Sequence, residues 1–298
     1  MTSTDHTVAH AWPACVLGAW AAAWLGGRRS PDDVVDTLAE LGARHIVDDR
    51  TVPAPGRESA GGSSDSGTES PGDAHDGALR LLGLLRDARS ISVRLPGPGD
   101  LHGLPPDPAT SAAIRAGEVL LIDDGDPAGA PLALVPHGPD DQAARNLGHT
   151  FRWSVFRYGA PVAVSASATA DAGAIEYELR QAVSQAAALI AGLGANRAAA
   201  EPGAAPPRDL RATVRTRAIR YRVDLPPHDD ARASRMIETA AQVDAIVAAA
   251  TDDGVTFGAS GSQLHAGDTE LRRLAGLTRA ARAAAVNRII GEYLSADR

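Results

Sequence analysis

A chain of 298 residues that is 44% hydrophobic can bury a substantial core, but only 4% of it is aromatic and alanine carries much of the apolar content. All 29 basic residues are arginine, which excludes Schiff-base lysine chemistry, a lysine P-loop and the strand lysine of protein kinases, and leaves histidine as the one basic side chain able to act as a general base. The net charge of -8 argues against nucleic acid or an anionic membrane as partner of the whole chain, and the lone Cys15 excludes an intramolecular disulfide and cysteine-rich zinc or iron-sulfur sites, so a reducing cytoplasm is the expected location.

The apolar run from Ala11 to Leu25, with Trp12, Trp20 and Trp24, predicts a buried helix. No positive residue precedes it, it is shorter than the roughly 20 apolar residues of a membrane span, and Gly26-Gly27-Arg28-Arg29 is not a cleavage site, so neither a secretion signal nor a membrane anchor is expected. Ser30-Pro31-Asp32-Asp33 supplies an N-cap, a first-turn proline and two carboxylates for a second helix that Gly42 ends. Residues 8–47 are therefore expected as a helical hairpin packing on the core. Residues 48–77, dominated from Pro53 by Gly, Ser, Pro, Asp and Glu, are expected as a disordered acidic linker.

Residues 78–298 are expected as an α+β core with a helical C-terminal region and a flexible segment at 196–207. Strand patterns occur around Ile91–Leu95, Val119–Ile122, Leu132–Val135 and Phe151–Val155, and an arginine-rich strand is read over Leu210–Val223. Asp107-Pro108 starts a helix that Gly117 stops, and the pattern from Asp171 to Leu193 predicts a long one. Further helices are read over Asp230–Ala250 and over Asp268–Leu294, the latter with Asp268 as its N-cap and Arg272, Arg273, Arg279, Arg282 and Arg288 on its polar face. The fold class is α+β: a small mixed or antiparallel sheet of about five strands packed against several helices, with an N-terminal helical hairpin.

The most site-like stretch is Pro96-Gly97-Pro98-Gly99-Asp100-Leu101-His102-Gly103, which follows a strand and sets a carboxylate two residues from an imidazole. His102 stands where a dinucleotide fingerprint needs its third glycine, so that motif is absent; the glycines and prolines also fit a tight crossing with no site. His137 and His149 flank strands and, with His102, could meet at one sheet edge, although no zinc-binding spacing such as His-Glu-x-x-His is present and no metal or other cofactor is expected. Arg208, Arg211, Arg215, Arg217, Arg220 and Arg222 form the strongest chemical anomaly. Arg211, Arg215 and Arg217 share a strand face with Thr213, which reads either as a binding row for phosphate, an acidic peptide or nucleic acid, or as a solvated face paired with neighbouring acids. Stacking aromatics are nearly lacking there, with Tyr221 in place, so nucleic acid is disfavoured. Trp20 and Trp24, four residues apart, read as core or as an anchor for a partner.

Trp12-Pro13, Ser30-Pro31-Asp32-Asp33 and Leu95-Pro96-Gly97-Pro98-Gly99-Asp100 together resemble uncharacterised conserved proteins of high-G+C actinobacteria. Leu79-Arg80-Leu81-Leu82, Ala116-Gly117-Glu118-Val119-Leu120 and Asp124-Gly125-Asp126 are similar to the outline of type VII secretion-associated chaperones, a resemblance that implies an α/β scaffold binding helical-hairpin substrates without catalysis. The leading expectation is a non-enzymatic, partner-binding or chaperone-like protein with a protein partner. The alternatives are a small-molecule hydrolase or transferase using Asp100 and His102, with His137 beside them, and anion or nucleic-acid binding through Arg211, Arg215, Arg217, Arg220 and Arg222.

Overall fold

The computed structural model describes residues 12–51, 72–137, 150–164, 173–184, 210–252 and 261–295. The chain divides into two compact units: a sheet unit of Pro13–Ala168 with Ile290–Arg298, and a helical unit of Met1–Trp12 with Thr169–Ile289. Most of the expected linker at 48–77 and the whole flexible segment at 196–207 lie outside the described residues. No helix among the described residues is long and apolar enough to cross a membrane.

The sheet unit opens with α1 (Pro13–Leu25) and α2 (Pro31–Leu41). In α2 the sequence signal is realised as a capping box: the Asp33 amide donates to Ser30 Oγ at 3.1 Å, and the Ser30 amide donates to Asp33 Oδ2 at 2.8 Å. The Ser30 amide first, and its hydroxyl second, hold the Asp33 carboxyl below the ordinary carboxylate range. Next come β1 (Arg44–Asp49), α3 (Gly72–Leu85), β2 (Ser90–Arg94), α4 (Pro108–Ala116), β3 (Val119–Asp123), β4 (Leu132–His137) and β5 (Thr150–Arg157). Asp107 caps α4 through the Ala109 amide, and Gly117 ends it in the left-handed conformation at φ 80°.

The strand order is β1-β5-β4-β3-β2, antiparallel throughout except that β1 runs parallel to β5, with Val47 opposite Trp153. The sheet is therefore mixed. Its edge strand β1 takes the fifth position expected for Leu210–Val223. Its inward residues are His45 and Val47, and a histidine in that alternation disguises the apolar period that marks a strand.

Helices cover both faces. On one, α1 lies against β2, β3 and β4, and α3 against β1. A Cβ at Gly18 would stand 3.0 Å from Leu120 and 3.1 Å from Val93 on the sheet side, and 3.3 Å from Ile290 of the last helix on the other. Alanine and glycine thus let α1 be buried on nearly every side, with Cys15, Val16 and Leu17 shut away and Trp20 and Trp24 half-buried. On the opposite face, α4 sets Ala109 and Ala113 against Leu121, Ala133, Val135 and Tyr158. At Gly77 the backbones approach closely, where α3 crosses β1 beneath the His45 carbonyl.

The helical unit contains α5 (173–184), α6 (Leu210–Arg220), α7 (Ala231–Asp252) and α8 (Gly261–Ser295), the last residues of α8 belonging to the sheet unit. Three expectations are corrected here. The arginine-rich segment is a helix, not a strand: Arg211, Arg215, Arg217, Arg220 and Arg222 alternate too loosely to define an apolar strand face, and Leu, Ala and Arg favour helix. Asp268 lies within α8, which begins seven residues earlier, and so is not its N-cap. Arg282, expected on a polar face, is fully buried. Asp230 caps α7, accepting from the Arg232 and Ala233 amides at 3.0 Å, and also pairs with Arg288 of α8; Arg232 donates to Glu176 of α5 at 2.8 Å.

A Cβ at Gly77 would fall 1.7 Å from the His45 carbonyl oxygen, whereas one at Gly83 on the same helix meets nothing within 4 Å. Gly77→Ala should destabilise the protein by about 1–3 kcal/mol or more through forced displacement of α3. Gly83→Ala should instead stabilise it by about 0.5–1 kcal/mol through helix propensity. Urea unfolding of the two variants side by side measures both effects.

Candidate functional site

The turn that follows β2 brings together the two residues expected to carry chemistry. Gly97 and Asp100 exchange backbone hydrogen bonds of 2.8 and 3.0 Å, with Gly99 at φ 87° closing the loop. Asp100 then accepts the His102 amide at 2.9 Å through Oδ1, and Oδ2 lies 3.3 Å from His102 Nε2. His102 sits at φ 49°, in the left-handed region, followed by Gly103 at φ 77°. The Asp100 side chain is 56% exposed and that of His102 11%. The two groups thus form a local carboxylate–imidazole pair at the surface, shaped by the chain reversal.

His137 ends β4 opposite Arg152, and strand register places that end of β4 at the same end of the sheet as the exit of β2. The centre of the sheet lies between them, since β3 pairs with β2 on one side and β4 on the other. His149 lies outside the described residues. Among the described residues no group of three His, Cys, Asp or Glu is placed to hold a metal ion.

Arg211, Arg215, Arg217 and Arg220 lie on α6 and Arg222 just beyond it; Arg208 falls outside the described residues. Helical spacing groups Arg215 with Ile219 and Arg222, and these are exposed together with Thr216 and Arg220. Ile219 is 57% exposed, a large apolar side chain set among guanidinium groups. Arg222 reaches Glu238 of α7 at 3.9 Å, a loose pair with both side chains mostly in solvent.

Sequence reasoning missed three buried polar groups. His45 of β1 accepts from Trp153 Nε1 at Nδ1 (2.9 Å) and donates from Nε2 to the Leu38 carbonyl of α2 (2.8 Å), so its ring is held neutral with its proton on Nε2. Burial depresses its pKa below the ordinary 6.5, the bond to Leu38 acting weakly the other way. Glu118 is buried after α4, and its Oε2 accepts the Ala14 amide at 2.8 Å, placing a carboxylate at the start of α1. Arg282 donates to Asp244 Oδ2 at 2.7 Å, while Thr278 donates to the other oxygen at 2.5 Å. The signal for Arg282 was its flanks: residues 280–285 read Ala-Ala-Arg-Ala-Ala-Ala, so no side of the helix there has bulk to keep the arginine in water.

A small cleft of about 140 Å³ between α3 and β1 is lined by Val47, Asp49, Arg80, Leu84 and Val155. Asp49 accepts both the Thr51 amide and its hydroxyl, at 2.9 and 2.7 Å, which with Arg80 keeps its carboxyl below the ordinary range despite partial burial. Those bonds commit the carboxylate to the strand end.

Residues 14–168 match the family described as the Rv1486c-like protein, N-terminal domain, and residues 173–283 the Rv1486c-like protein, C-terminal domain, a division that falls where the structure separates its two units. Uncharacterized protein Rv1486c of Mycobacterium tuberculosis is 32% identical, the match covering 93% of this chain and 97% of that protein. Uncharacterized protein ML1804 of Mycobacterium leprae is 31% identical and MAV321 of Mycobacterium avium 30%, each with the same coverage. No solved structure matches the chain.

Two outcomes follow from the buried groups. The folded state keeps His45 neutral while the unfolded chain protonates it near pH 6.5, so its contribution to stability is complete above that pH and is lost as pH falls toward the depressed folded value. Urea unfolding at stepped pH should show this loss as pH falls below about 6.5, and His45→Gln should shrink it. Asp244→Ala leaves the Arg282 guanidinium buried without its counter-charge and should cost about 3–5 kcal/mol by the same measurement.

Proposed function

The chain belongs to the Rv1486c-like family, and on that footing we propose that it is a non-catalytic, partner-binding protein of the cytoplasm, chaperone-like in role, that docks an acidic protein surface on α6. The observation that carries this reading is the exposed face of Arg215, Ile219, Arg220 and Arg222. The thirteen residues 210–222 hold five arginines and no acid within a chain of net charge -8, so a local positive field stands out from an acidic background and selects an acidic partner. An exposed isoleucine ringed by arginines has the composition of a binding hot spot: an apolar contact that excludes water, bordered by groups that pair with carboxylates. Nucleic acid is the weaker occupant because Tyr221 is the one aromatic in the segment, and single strands need stacking platforms. The lone cysteine, buried in α1, fits a reducing compartment.

A second reading, acid–base catalysis by Asp100 and His102, is favoured by their 3.3 Å contact and by the left-handed backbone at His102. It requires a turnover of chromogenic ester or phosphoester substrates that His102→Ala abolishes.

For the leading reading, poly-L-glutamate should bind the full chain with an affinity that falls steeply with salt, duplex and single-stranded DNA should bind less well, and the double variant Arg215→Glu/Arg220→Glu should lose the interaction while retaining its circular dichroism. Ile219→Asp should weaken it by about tenfold, equivalent to about 1.4 kcal/mol. Equal binding by wild type and the double variant would overturn the assignment to α6.

A further inference from the structure

Within the helical unit, several buried N–H donors lack acceptors among the described residues. Arg282, 0% exposed, uses Nη2 for Asp244 at 2.7 Å and, at 3.5 Å, for the Tyr221 carbonyl, while its Nε and Nη1 meet no acceptor. The Trp12 ring lies over the guanidinium, 4.3 Å from its carbon to the ring centre, and the indole Nε1 is likewise buried without an acceptor. Arg279, one turn earlier on α8 and half-buried, holds its Nε in the same state. Buried polar atoms in folded proteins nearly always find a partner, and a cluster of exceptions calls for an explanation.

Their chemistry is one-sided. Each unmet atom is a donor, and two of the three residues are cations; Asp244 balances the charge of Arg282, and no ion pair of Arg279 occurs among the described residues. In the sheet unit Trp20 Nε1 is also unmet, beneath a partly exposed Arg29 at 5.9 Å, while the Ser92 and Ser154 hydroxyls both donate and accept and rotate to suit their surroundings. Trp12 also holds φ 75°, a left-handed backbone rarely adopted by a large aromatic residue. Outliers of this kind concentrate at ligand clamps.

We propose that Arg282, Arg279 and Trp12 form a receptor for a small tetrahedral oxyanion of the phosphate type. The indole stands off the guanidinium plane, so the donors are spread in three dimensions, which suits tetrahedral oxygens better than a planar carboxylate. Asp244 holds Arg282 through Nη2 and is itself held by Thr278, so the guanidinium is fixed before any anion arrives. Trp12 covers Arg282, and its indole moves as the anion enters.

Calorimetric titration of the full chain with inorganic phosphate at constant ionic strength tests this, with acetate as the planar comparison and tryptophan emission as a second readout. Phosphate should bind saturably at one per chain, change the emission and raise the thermal midpoint, with acetate at least tenfold weaker. Arg279→Gln should weaken binding by tenfold or more, and Trp12→Phe should abolish the emission change and reduce affinity. Arg282→Met breaks a buried ion pair and is expected to fold poorly, so the decision rests on the other two variants. Absence of saturable phosphate binding, phosphate affinity unchanged in both Arg279→Gln and Trp12→Phe, or acetate binding as tightly as phosphate would each overturn the proposal.

Discussion

A helix shut away from water on nearly every side cannot leave its first amides to solvent, and the bond from the Ala14 amide to Glu118 answers that constraint in the sheet unit. α1 is apolar around its circumference, so its place against β2, β3 and β4 depends on what happens at its ends. At its start a buried carboxylate meets both an unsatisfied donor and the positive end of the helix dipole. At its other end Gly26 lets the chain pass under the Tyr293 carbonyl, where a Cβ would come within 2.4 Å. Between these points, small side chains set how closely helix and sheet can approach, and Gly18 sits where both the sheet and Ile290 press in. The low aromatic content is thus matched to a close-packed layered core.

The α+β class, the two N-terminal helices and the central strands were legible because their signals are local. Ser30-Pro31-Asp32-Asp33 is a capping box in sequence and in structure, and Asp107-Pro108 with Gly117 brackets α4 as written. β1 was hidden because the residue occupying an inward position is histidine. Its burial becomes tolerable only through Trp153, 108 residues away, and through Leu38, so no local pattern could announce it. α6 was misread for the opposite reason: a run of arginines carries no apolar period of either kind, and its helical state is settled by propensity and by packing on α7.

The candidate groups divide the same way. Asp100 and His102 were predictable as a pair because two residues of a tight turn cannot lie far apart, but sequence alone could not tell that the carboxylate stays in solvent. The opposite error occurred at Arg282. Charge was taken to imply exposure, yet in an alanine-rich helix a buried arginine can be held by one acid on a neighbouring helix, Asp244, together with an indole face. In such a chain, flanking volume is a better guide to burial than charge.

The parallel pairing of β1 with β5 has a consequence for the order of assembly. The strand that completes this edge is made roughly 100 residues after its partner, and at about 5–20 residues per second a ribosome needs roughly 5–20 s to deliver it. The tryptophan-bearing first helix is covered by β2, β3 and β4, which are made within that interval, so a strongly water-averse segment waits uncovered on the nascent chain until they emerge. Closing the sheet between distant parts of the sequence also carries a loop-entropy cost that local hairpins avoid. The β3–β4 hairpin is therefore the natural seed of the unit, and the β1–β5 edge the last part of the sheet to close.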